Sequence, residues 1–239
     1  MKAAKPFLTV HILTLFPQMF VGPFRESMIR LAKARGLVKI QLHNLRKFAN
    51  GKHKMCDDKP FGGGPGMVMI PGPIFDSIEF LKKKYSDAKV LLMTPQGKPF
   101  IQEDAWRFSR MGHLIILCGH YEGVDERVRQ FGVDYEISVG DFVTTGGELP
   151  AMCVVDSIVR LVPGVVGNQD SIKQESFQDG LLDYPHYTRP RVFRGHAVPH
   201  ILVSGDHKKI GQWRREQAFR LTRERRPDLL KGESHETRY

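Results

Sequence analysis

The chain has 239 residues, enough for one large domain or two small ones, and 41% of them are hydrophobic, which suffices for a core. Its formal net charge is +10 and its pI about 9.6, a surplus that favours a polyanionic partner, nucleic acid or an anionic membrane. No apolar run approaches the ~20 residues of a membrane span. The three cysteines, Cys56, Cys118 and Cys153, are far apart and outside metal-ligand spacing, which suits a reducing cytoplasm.

From the N-terminus, Met1 to Pro6 leads into a short apolar run with no small-residue cleavage site, so no signal peptide is expected. Phe7 to Phe16 is apolar and β-branched and predicts a first strand, ended by Pro17. Phe20, Phe24, Met28 and Leu31 recur at helical spacing and predict a helix over Phe20–Arg35, stopped by Gly36. Val38–Leu42 alternates as a strand, and the polar stretch from Asn44 to Pro60 reads as loop. Phe61-Gly62-Gly63-Gly64-Pro65-Gly66-Met67 excludes a regular element. It lacks the Lys-Ser/Thr of a P-loop and reads as a mobile or ligand-contacting loop, or else a linker. Pro73–Tyr85 predicts a helix.

Three repeats of one grammar follow. Lys89–Thr94 is a buried strand, then Pro95-Gln96-Gly97-Lys98 a turn. Leu114–Cys118 is a second buried strand, then Gly119-His120-Tyr121-Glu122-Gly123 a turn. Tyr135–Val139 is a third strand, then a glycine-rich loop through Gly147. Helices are predicted over Gln102–Met111, Asp125–Gln130 and Leu149–Leu161. Strands alternating with helices imply an α/β fold with a largely parallel sheet, whose ligands sit at the carboxyl ends of the strands. None of the three loops is the Gly-x-Gly-x-x-Gly of a dinucleotide site. Cys118 and Cys153 lie in apolar runs and are expected to be buried thiols.

After Pro163–Gly167 the character changes. Asn168–Gly180 is polar, a linker or lid. Tyr184-Pro185-His186-Tyr187-Thr188-Arg189-Pro190-Arg191 packs aromatics, His and Arg between prolines. His207–Arg226 predicts a basic helix, with Trp213 and Phe219 docking it on a small core and its cations laid toward phosphates. The domain reading is residues 1–167, a linker over 168–180, and a basic domain over 181–239.

Taken in order, several motifs carry a resemblance: Gly62–Met67, Thr94-Pro95-Gln96-Gly97, Cys118–Arg127, Ser138-Val139-Gly140-Asp141-Phe142, Gly146–Ala151 and Leu181–Pro190. The chain resembles the bacterial tRNA (guanine-N1)-methyltransferase family of the SPOUT superfamily, from about residue 7 to about residue 230. The resemblance implies S-adenosylmethionine-dependent methylation of the guanosine at tRNA position 37, beside the anticodon. It also implies a SPOUT-type parallel sheet with a deep trefoil knot, a small, mainly helical C-terminal domain, and a cytoplasmic homodimer whose sites are completed by the partner chain. The expected cofactor residues are Leu92, Met93, Pro95 and Gln96, then Gly119, Tyr121, Glu122 and Gly123, then Val139, Gly140, Asp141, Phe142, Val143, Thr144, Gly146 and Gly147. Glycine-rich loops offer bare backbone to an adenine. Glu122 would offset the sulfonium or amino charge, or else pair with Arg127 or Arg129.

Guanine N1 carries a proton at neutral pH, so its methylation needs a general base and a cation near O6. The family's arginine maps to Arg160. Its aspartate base maps to Glu175, a departure from the pattern that adds one methylene; Asp170 and Asp179 compete for the role. His186 and Arg189 are expected to contact tRNA or to support the linker, and Arg214 and Arg215 on the tail helix to contact tRNA. The resemblance further implies Mg²⁺, for which the sequence shows no ligand cluster. A non-catalytic RNA-binding protein and a related enzyme acting on another tRNA position are the competing readings.

Overall fold

The computed structural model describes residues 6–167, 172 and 175–230. The chain divides into two compact units, Met1–Gly167 and Asn168–Tyr239.

The first unit is built on a five-stranded parallel sheet of β1 (Leu8–Thr14), β2 (Val38–Asn44), β5 (Lys89–Pro99), β6 (His113–Cys118) and β7 (Tyr135–Ser138), in the order β2-β1-β6-β5-β7. Between the strands run α1 (Ser27–Ala34), α2 (Pro71–Lys84), α3 (Gln102–Ser109) and α4 (Glu126–Gly132), and α5 (Glu148–Val159) follows β7. The central strands are apolar along both faces because both are covered. Leu13, Val90, Leu92, Ile115 and Leu117 join Ile74, Ile78 and Leu81 of α2 and Val128 of α4 in one core. The alternate residues Val10, Ile12, Leu91, Leu114 and Ile116, equally buried, point the other way, as strand alternation requires. There α5 lies on β6 and also packs on α1 and α3.

The predicted helix over Phe20–Arg35 is broken. Pro17–Phe20 and Pro23–Arg25 are short 3-10 turns, and α1 begins only at Ser27. Pro23 lacks the N–H that a continuous helix would use at that point. Phe20 and Phe24 still reach the core, 5.4 Å apart ring to ring. The loop predicted over 44–60 also contains β3 (Asp57–Asp58), which pairs antiparallel with β4 (Val68–Met69) and so ties down the two ends of the glycine-rich loop.

A second difference bears on the site. The turn predicted at 95–98 is the continuation of β5. The strand pairs with β7 up to Met93↔Ile137, shifts register, and pairs again from Lys98↔Ile137. Residues 94–97 form an excursion laid over β7, with Gly97 so close to the Glu136–Ile137 backbone that no Cβ would fit. Cys153 corrects another expectation, because it is exposed while Cys56 and Cys118 are buried. With Leu149 and Asp156 it occupies the outward face of α5, which helical periodicity leaves uncovered even in an apolar run.

In the second unit, β8 (Val192–Phe193) and β9 (His196–Ala197) form a small hairpin, and α6 (His207–Arg225) follows a 3-10 turn at His200–Val203. The buried face of α6 is Ala218 and Thr222, whereas Phe219 is half exposed, contrary to the expected docking residue. The Thr222 hydroxyl donates to the Ala218 carbonyl at 2.7 Å and accepts from the Leu182 N–H at 2.8 Å.

Candidate functional site

β5, β6 and β7 are neighbours and parallel, so the loops that leave their carboxyl ends must converge. They enclose a cleft of about 460 Å³, within the range of small-molecule sites. Leu92, Met93, Pro95 and Gln96 line it from the first loop. Gly119, Tyr121, Glu122 and Gly123 line it from the second, and Val139, Gly140, Phe142, Val143, Thr144, Gly146 and Gly147 from the third. Asp141, expected with them, does not line the cleft.

The floor is tightly built. The Gly147 N–H donates to the Gly119 carbonyl at 2.7 Å. A Cβ on Gly147 would stand 2.8 Å from the Cys118 Cα, so only glycine lets the third loop lie on the second. The Thr144 hydroxyl closes the third loop on the Gly146 carbonyl at 2.9 Å. The second loop is fixed from outside by the strand after the glycine-rich loop: the Glu122 N–H donates to the Met67 carbonyl, and the Met69 N–H to the Gly123 carbonyl. The glycine-rich loop rests against the Glu122 side chain at Gly66.

The charges in the cleft are specific. Glu122 has neither of its anticipated arginine partners. Arg127 is held by Asp125 at 2.7 Å, and Arg129 by Glu126 and Glu136 at 2.9 and 2.8 Å. The Glu122 carboxylate therefore faces the cleft with no cationic partner among the described residues. Tyr121 adopts φ +59° and stands edge-on to His120; burial pushes its phenol up, and Asp57 adds to the effect.

Sequence reading missed the layer beneath. Glu148, the first residue of α5, is only 1% exposed. Its carboxylate accepts from the Thr14 hydroxyl at 2.7 Å and lies 3.8 Å from Nδ1 of His120, itself a cleft residue. The N-terminal end of a helix favours a carboxylate there. A glutamate straight after a Gly-Gly pair, at a helix start among apolar residues, was the available signal.

The remaining predicted residues lie elsewhere. Arg160 is the C-cap of α5, about 18 Å of helix from Glu148 at 1.5 Å per residue, and does not line the cleft. Glu175 is half-buried in the second unit, Asp179 is exposed there, and Asp170 is outside the described residues. His186, Arg189 and Arg214 line one hollow of about 340 Å³ in the second unit. Arg215 instead borders a separate one with Leu181 and Phe219. Among the described residues no group of three or more His, Cys, Asp or Glu is placed to hold a metal ion, and no helix is long and apolar enough to cross a membrane.

The family described as tRNA (Guanine-1)-methyltransferase TrmD matches residues 8–232. The chain belongs to that family. It is 54% identical over 226 residues to a tRNA (guanine-N(1)-)-methyltransferase of Pelotomaculum thermopropionicum, covering 94% of this chain and 90% of the relative. The protein of the same name from Dictyoglomus turgidum is 52% identical, covering 95% and 91%. That from Clostridioides difficile is 50% identical, covering 92% and 96%. The family match spans residues of both units.

Proposed function

We propose that the chain transfers a methyl group from S-adenosylmethionine to N1 of the guanosine at position 37 of tRNA. The observation that carries this reading is the cleft itself: three loops at the carboxyl ends of adjacent parallel strands, in a chain of a tRNA guanine methyltransferase family. The residues present fit the cofactor. The floor at Gly147 presents backbone where a side chain would collide with the neighbouring loop. Leu92, Met93, Val139 and Phe142 supply apolar wall, and Glu122 a carboxylate without a cationic partner among the described residues. When bound, S-adenosylmethionine supplies a methyl group on a cationic sulfur. The chain's own task is to hold that cation beside Glu122 and to manage the proton on guanine N1.

In this reading Glu175 takes the N1 proton and Arg160 stabilises negative charge on O6. Arg160 lies a helix length from the cleft of its own chain, which favours a homodimer in which each cleft is completed by the partner chain. The trefoil knot belongs to the same reading. It is supported by the crossover from β6 past β5 to β7 and by the excursion at 94–97 laid over β7. The basic second unit is the proposed tRNA-binding domain.

The deciding assay is transfer of radiolabelled methyl to tRNA transcripts carrying guanosine at position 37, against the same transcripts with adenosine there. Label is expected only in the first. Equal labelling of both, or of neither, would overturn the reading.

A further inference from the structure

The hollow in the second unit is built differently from a surface that merely attracts phosphates. Val198, Leu202 and Val203 line it with apolar surface, beside Tyr187, Arg189, Arg191 and Arg214. Tyr184 is already engaged: the Arg214 guanidinium lies 4.8 Å from its ring centre, and the His186 ring 4.6 Å away. His186 is in turn held by Asp183 at 2.8 Å. Tyr187, by contrast, is 50% exposed and makes no ring contact among the described residues. Arg189 and Arg191 are exposed, and their side chains have no ion-pair or hydrogen-bond partner among the described residues. One aromatic face and two guanidinium groups thus stand free around an apolar concavity, while their neighbours are locked.

Duplex phosphates need only cations on an open surface. Apolar lining beside an unengaged tyrosine suits a base taken out of the stack, because base–aromatic stacking tolerates any base and buries a π-face. Resting on the RNA-substrate reading above, we propose that this hollow binds one unpaired nucleotide of the substrate RNA, its base against Tyr187 and its phosphate against Arg189 and Arg191. The hollow is lined by second-unit residues and selects RNA by the presence of an unpaired loop.

The test uses the full chain and fluorescence anisotropy, with no turnover. The probes are an RNA stem closed by an unpaired loop and the same stem as a blunt duplex. Wild type is expected to bind the looped stem more tightly. Tyr187→Ala should weaken that binding about tenfold and abolish the preference, whereas Tyr187→Phe, which keeps the ring, should retain both. Arg189→Gln and Arg191→Gln should each reduce the slope of log Kd against log salt by about 1. Wild-type binding by Tyr187→Ala, or equal binding of loop and duplex by wild type, would overturn the pocket. If position-37 methyl transfer is intact in that event, only the pocket fails. If wild type transfers no methyl to tRNA, the functional reading fails, whatever the anisotropy shows.

Discussion

Thr14 ends β1 and donates its hydroxyl to a carboxylate almost without solvent contact, Glu148. A buried charge is tolerated only when it is hydrogen-bonded. Thr14→Val keeps the shape of the side chain and removes the donor. It should lower the unfolding free energy by about 1–3 kcal/mol, the cost of leaving a buried acceptor without its donor, read from urea titration at pH 7. An unchanged midpoint would mean that the Thr14–Glu148 hydrogen bond adds nothing to stability. Glu175 belongs to the proposed chemistry. As the proposed base, its replacement by Gln should reduce single-turnover methyl transfer about 10²–10⁴-fold while calorimetry shows unchanged S-adenosylmethionine affinity. A near-normal rate would remove Glu175 from proton transfer.

Strands β1, β2 and β6 bring three histidines together. His11 Nδ1 lies 3.2 Å from His43 Nε2, and the His11 ring is 6.2 Å from that of His113 and 4.7 Å from Tyr85. Burial, then the neighbouring His43, His113, Lys39 and Lys84, lower the His11 pKa from 6.5 to about 4. Burial lowers His43 as well. The unfolded chain therefore takes up protons first as pH falls. Stability is full above pH 6.5 and is lost as pH drops toward 4. For His11 alone the loss between pH 7 and pH 5 is about 2 kcal/mol. Asp125, held below the usual carboxylate range by the Arg127 side chain, loses its contribution only at lower pH, so this window isolates the histidines. Urea midpoints at the two pH values measure the effect, and equal midpoints would contradict it.

On the scale of the whole chain, the proposed role of Arg160 requires a cleft other than that of its own chain, which lies at the other end of α5. The outward face of that helix carries Leu149 and Cys153, and Phe142 and Val143 stand exposed at the cleft. A second copy covering this face would bury apolar surface and deliver a foreign Arg160. Light scattering should give twice the chain mass of 27.3 kDa, and Arg160→Ala should lose activity while remaining dimeric. A fully active monomer would refute the shared site.

The three strand-then-glycine units were legible in the sequence because each is a local pattern: a continuous apolar run followed by residues that cannot extend it. The pattern also brought the three loops together, since parallel strands put their carboxyl ends on one edge. Features that depend on distant partners were not legible. β5 runs on past Thr94 because β7, some forty residues later, offers it a second register. Pro23 overrode a helical period that the core still uses through Phe20 and Phe24. Cys153 is exposed because packing chooses one face of α5, which composition does not specify. The carboxylate of Glu148 finds its hydroxyl 134 residues away in Thr14. Local chemistry in the chain determined which segments are strands, which loops leave their carboxyl ends and which charges are in surplus. Only the tertiary structure decided which side chains meet, because those meetings depend on strand order and register.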